Sequence, residues 1–113
     1  MTPPQDSAAR IPIWAWPAAL LAGAFLANAI PHGLMGVTGQ AFPTPFSGGP
    51  PNLSPPLLNV VWSLINIAIG FGLLWLVRRC ARSAALRWTA IAGAAIFALL
   101  LAVIFDGVVA GAA

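Results

Sequence analysis

The chain has 113 residues, 60% of them hydrophobic and 6% charged, with a formal net charge of +3 and a mean hydropathy of +0.92. Soluble domains carry roughly 25% charged residues, so a water-soluble fold of this size would lack the polar surface to cover itself. Five arginines with no lysine form no basic face for nucleic acid, and the single Cys80 excludes an intramolecular disulfide or a multi-cysteine metal site.

The first predicted element covers residues 11–30, IPIWAWPAALLAGAFLANAI, without a charge. About 20 such residues cross a hydrocarbon core of roughly 30 Å as a helix. Backbone groups cannot stay unpaired in lipid, and the alternation of a barrel strand is absent, so a helix is expected. Its end, Ala27-Asn28-Ala29, has the small-x-small pattern of a signal-peptidase site, and cleavage there would leave two spans. The stretch is long for a signal segment, and the residues before it hold one arginine and one acid, so it reads as a retained span.

Residues 31–56 follow as a long outer loop with seven prolines, five glycines, one histidine and no charged side chain. Pro31 is expected to stop the first helix. Gly33, Gly36 and Gly39 recur every third residue and permit tight turns. Phe42 and Phe46 are suited to headgroup depth. Ser54-Pro55-Pro56 reads as the next helix start, with Ser54 as cap and proline in the first turn. A loop without charge is suited to resting on a membrane or on another subunit.

The second span is predicted over residues 57–77. On it Asn59, Ser63, Asn66 and Gly70 fall at i, i+4, i+7 and i+11, a single stripe suited to a helix contact. A link over residues 78–87 carries Arg78, Arg79, Arg82 and Arg87 around Cys80. The third span, residues 88–109, contains Asp106 near its end. Ala92, Ala95, Ala102 and Asp106 share one of its faces. Gly107 and Gly111 form a small-xxx-small pair, expected to make a close contact within the chain or between copies.

These elements define an all-α membrane protein. It is expected to be a single integral membrane domain over residues 1–113, with three transmembrane helices and a long proline- and glycine-rich loop between the first two. With three crossings, Arg10 and the four link arginines share one side, and the positive-inside rule makes that side the cytoplasm. Trp14, Trp16, Trp75 and Trp88 fall at the same boundary, where indoles anchor at headgroups. The expected location is the bacterial inner membrane, with the N-terminus cytoplasmic and the C-terminus outside.

The run NAIPHGLMGVTGQAFPTPF followed by SPPLLNVVWSLINIAIG resembles a group of small uncharacterised bacterial inner-membrane proteins. In that group a Pro-His loop with spaced glycines and a Phe-x-Thr-Pro-Phe ending leads into an Asn-x-x-Trp helix. The resemblance covers about residues 26–74 and implies no activity, cofactor or catalytic residue. The chain departs from the group at Gly33, where an aromatic is expected.

Asn28, His32, Asn59, Asn66 and Asp106 form the candidate polar cluster, with the three helices bringing Asn28, Asn59 and Asp106 to one depth. Small residues and paired amides at this depth are the ordinary means of joining helices in lipid. His32 and Asp106 are expected to interact and to form an outward-facing cap that holds the loop down, with proton or ligand handling as the alternative. One histidine and one carboxylate fall short of the three or four ligands of a metal site. Haem on His32 alone would lack a second ligand or attachment motif. No serine lies in a nucleophile motif, and no cofactor is implied. The expected role is a non-enzymatic structural or accessory subunit that docks in the bilayer on itself or on a larger complex. The alternative is an oligomeric small transporter or channel subunit with a polar outward-facing site.

Overall fold

The computed structural model describes residues 10–112, with side-chain surroundings described to residue 107. Three α-helices follow in order: α1 (Ala15–Val37), α2 (Pro56–Cys80) and α3 (Ala84–Ala112), with a 3-10 turn at Pro45–Ser47 between the first two. Each helix contains a stretch long and apolar enough to cross a membrane, consistent with a multi-pass membrane protein. Even α1, the shortest at 23 residues, reaches about 34 Å at 1.5 Å per residue.

The first helix lies in the middle. It packs against both α2 and α3, which hardly touch each other. Small residues on two sides of α1 make this possible: Ala15, Ala19, Ala22, Gly23, Ala27 and Ala29 are all buried. Gly23 faces the backbone of Ala90 and Ala94 on α3, and Gly93 faces the backbone of Leu20 on α1. A Cβ on either glycine would overlap the opposing main chain, so neither position tolerates a side chain. Without a hydrophobic force between helices in lipid, such backbone approach supplies the packing. Near the arginine-rich end, Ala15 and Ala19 meet Val77 of α2 and Leu86 and Ala90 of α3 in a small apolar cluster. The large side chains point the other way: Leu64, Phe71, Trp75, Trp88, Leu99 and Val103 are all exposed. Small-in and large-out suits a helix bundle in hydrocarbon.

Several boundaries differ from the sequence-based expectation, each for a physical reason. The first helix does not stop at Pro31 but runs through it to Val37. Proline forfeits one helical hydrogen bond, whereas leaving the helix in apolar surroundings would unpair several backbone groups. Beyond Pro31, Gly33 and Gly36 are contact residues rather than turns. A Cβ on Gly36 would come 2.6 Å from Val60 Cγ2 and 2.8 Å from the Pro56 carbonyl oxygen. Only Gly39 turns the chain, at φ +77°. There the Gln40 N–H donates to Met35 O at 2.9 Å and the Gly39 N–H to Gly36 O at 3.1 Å, closing the helix in a Schellman motif.

The long open loop expected over residues 31–56 is therefore not formed. What remains, residues 38–55, is folded on itself. Phe42 and Ser54 pair as an antiparallel bridge, and Thr44 accepts from the Phe46 N–H at the start of the 3-10 turn. The Ser54 hydroxyl does not cap α2. It bonds the hydroxyls of Thr44 and Ser47 instead, and α2 starts from extended Pro55 with Pro56 in its first turn. The link between α2 and α3 shrinks to residues 81–83. Arg78 and Arg79 belong to the last turn of α2, where positive charge complements the helix dipole.

Candidate functional site

The stripe Asn59, Ser63, Asn66, Gly70 is buried along α2 and faces α1 over its whole length. The two helices run antiparallel, so residue numbers fall on one as they rise on the other. Gly70 meets Leu26, with a Cβ there only 2.6 Å from Leu26 Cγ. Asn66 Oδ1 accepts from Asn28 Nδ2 at 2.9 Å, while its own amide donates to Trp62 O at 2.7 Å. The Ser63 hydroxyl donates to Ala29 O at 2.7 Å. It also explains Gly33, where a Cβ would come 2.8 Å from Ser63 Oγ. Here the side chain at position 33 is excluded by the neighbouring helix.

At the upper end of this seam, Asn59 is fully buried and joins three parts of the fold. Its Nδ2 donates to the carbonyl oxygens of Phe42 at 3.0 Å, Ser54 at 3.1 Å and Pro55 at 3.3 Å. These carbonyls only accept, so the carboxamide has one orientation and Oδ1 faces His32 Nδ1 at 2.9 Å. Nδ1 must then carry the proton and donate. In neutral His32 the lone pair therefore sits on Nε2.

Three aromatic rings surround this imidazole, each from a different element. Phe42 of the connector lies 5.4 Å away between ring centroids, Phe105 of α3 6.3 Å and Trp62 of α2 6.5 Å, all close to perpendicular. Phe42 and Phe105 also touch each other at 4.4 Å. Edge-to-face aromatic contacts of this kind add about 0.5–1.5 kcal/mol beyond burial. Phe42 thus turns inward rather than lying at headgroup depth, while Phe46 is half exposed and packs on Trp62 at 5.7 Å. His32 is 3% exposed. It is the point where α1, α2, α3 and the connector converge.

Asp106 does not join them. Its side chain is exposed, and among the described residues it makes no hydrogen bond or ion pair with His32. Phe105, one residue earlier, takes the place expected of it. The inward stripe of α3 is Leu86, Ala90, Gly93, Phe97, Leu101 and Phe105, each buried or half-buried, whereas Ala92, Ala95 and Ala102 are exposed. The expected close contact at Gly107 is also absent within the chain, since a Cβ there would meet nothing within 4 Å. Gly111 lies outside the residues whose surroundings are described. The close α3 contact is at Gly93 instead, opposite the Ala19-xxx-Gly23-xxx-Ala27 series of α1. That series was a readable small-xxx-small signal. Nothing in the sequence pointed to Phe105.

Among the described residues no buried side-chain nitrogen or oxygen lacks a hydrogen-bond partner. Nor do three His, Cys, Asp or Glu side chains converge on a point where a metal ion could sit. Along the seam the described amides and the Ser63 hydroxyl are paired with one another, with His32 Nδ1 or with backbone carbonyls, and His32 Nε2 keeps its lone pair. No known protein family, curated protein or solved structure matches the chain.

Proposed function

We propose that this chain is a small integral protein of the bacterial inner membrane and acts as a non-enzymatic structural or accessory subunit, docking on copies of itself or on a larger membrane complex. One observation carries this reading: Asn28, Asn59, Ser63 and Asn66 are engaged with one another, with His32 or with backbone carbonyls. A transport path needs polar groups left over to replace the water around its cargo, and a catalytic site needs one aimed at a substrate. The amides and hydroxyl of the seam are occupied in helix contacts, which favours packing over transport or catalysis, while His32 Nε2 keeps a lone pair among the aromatic rings around it. The amides join α1, α2 and the connector, while α3 packs on α1 through Gly23 and Gly93, and such a fixed arrangement is what a docking subunit requires.

The second reading, an oligomeric transporter or channel subunit, is favoured by Asp106 alone. An exposed acid near the end of α3 would be costly at the membrane boundary unless it met water or a second copy. Purification in mild detergent, followed by mass determination and reconstitution into liposomes, separates the two. The accessory role predicts a defined oligomer or a stoichiometric partner, with no ion flux above that of empty liposomes. Flux that disappears in Asp106→Asn would overturn it in favour of the transporter.

A further inference from the structure

The far end of the molecule carries a feature that the subunit role does not use. Arg78, Arg79, Arg82 and Arg87 lie around the α2–α3 turn and line two adjoining hollows of about 520 and about 500 Å³. The hollows share Leu74, Arg78 and Arg82, so one apolar wall runs beneath a common cationic rim. Phe71 and Trp75 extend that wall down the membrane-facing side of α2. Arg79 is held by cation–π contact, its guanidinium carbon 5.2 Å from the Trp75 ring centroid. Ser83 and Ala84, at the start of α3, close the other side.

Among the described residues these charges have no acidic counterpart nearby. The chain has two acids, and Asp106 lies at the opposite end of α3, so only Asp6 could offset any of the four arginines. At least three positive charges are left for something outside the polypeptide. The positive-inside rule accounts for arginines on this side of the membrane. It does not account for their convergence on a hollow that is cationic at the rim and apolar toward the hydrocarbon.

We propose that the α2–α3 turn is a binding site for an anionic phospholipid. The headgroup phosphate would be held between Arg78 and Arg82, and the upper acyl chain would lie on Leu74 and Phe71. Guanidinium forks match phosphate oxygens two at a time, basic pockets between transmembrane helices suit anionic headgroups, and the hollows fall in the size range of small-molecule sites. The site depends on the helices spanning a bilayer, and on neither the orientation nor the accessory role.

Native mass spectrometry of the full chain in detergent micelles doped with phosphatidylglycerol or with phosphatidylcholine tests this. The wild type should retain phosphatidylglycerol in preference, and Arg78→Gln with Arg82→Gln should cut retention about tenfold or more. Arg10→Gln removes a charge on the same side but outside the hollows, and should change retention little. Equal retention of both lipids would overturn the site. So would an equal loss from Arg10→Gln and Arg78→Gln, which would mean a diffuse field rather than a pocket. Circular dichroism melting verifies that each variant is folded. If the double variant does not fold, Arg78→Lys keeps the charge and loses the fork, and retention equal to wild type would overturn the proposal as well.

Discussion

His32 Nδ1 and Asn59 Oδ1 lie 2.9 Å apart, and the opposite end of the same carboxamide holds the connector through three carbonyl oxygens. One side chain thus ties α1 to α2 and pins Phe42, which in turn covers His32.

Replacing Asn59 tests that junction. Asn59→Ala leaves the His32 N–H and several carbonyls without a partner, at about 1–3 kcal/mol for a buried group left unsatisfied. Asn59→Asp should be at least as damaging, because it sets an oxygen against carbonyl oxygens. Thermal melting in detergent ranks the variants. An Asn59→Asp protein as stable as wild type would mean that the amide does not hold the connector. Asn66→Leu gives the comparison within the same stripe: it removes an amide pair worth roughly 0.6 kcal/mol in helix contacts of this type.

The partner of His32 is separately testable by double-mutant cycles. His32→Ala and Asn59→Ala act on one bond and should be clearly non-additive. His32→Ala and Asp106→Asn share no contact and should add to within about 0.5 kcal/mol. Strong coupling in the second cycle would place Asp106 against the histidine after all.

The glycines at the α1–α3 crossing should be intolerant where the outer one is not. Gly23→Ala and Gly93→Ala each drive a methyl group into opposing backbone, an overpacking cost of about 1–3 kcal/mol. Gly107→Leu projects into open space and should leave the melting temperature unchanged. If it does alter oligomer size in detergent, the contact it breaks lies between copies.

The positive-inside rule gives an expected orientation that reporter fusions can read. Alkaline phosphatase joined after Ala113 should be active, and joined after Arg82 inactive, if the basic turn faces the cytoplasm. The opposite pattern would invert the topology and leave the fold as it is.

The seam on α2 was legible because it depends on one helix alone. A rigid helix repeats every 3.6 residues, so Asn59, Ser63, Asn66 and Gly70 had to share a face whatever they met. The role of Gly39 was within reach for a similar reason, since a helix that ends in a left-handed residue favours glycine. The Ala19-Gly23-Ala27 series was equally local, and it marked the α1–α3 crossing better than Gly107 and Gly111 did.

By itself the sequence determined that three helices long and apolar enough to span a membrane would form, because apolar length and backbone pairing are set segment by segment and need no partner. Tertiary structure alone decided which helix lies in the centre, that α1 continues through Pro31, and that His32 meets Asn59 and Phe105 rather than Asp106. Neighbouring residues on a helix point about 100° apart. A rotation of α3 by about 100° would therefore exchange an aromatic ring for a carboxylate at nearly the same depth. The rotation that α3 adopts is set by the close backbone approach at Gly23 and Gly93, more than a full helical turn away from the histidine whose surroundings it determines.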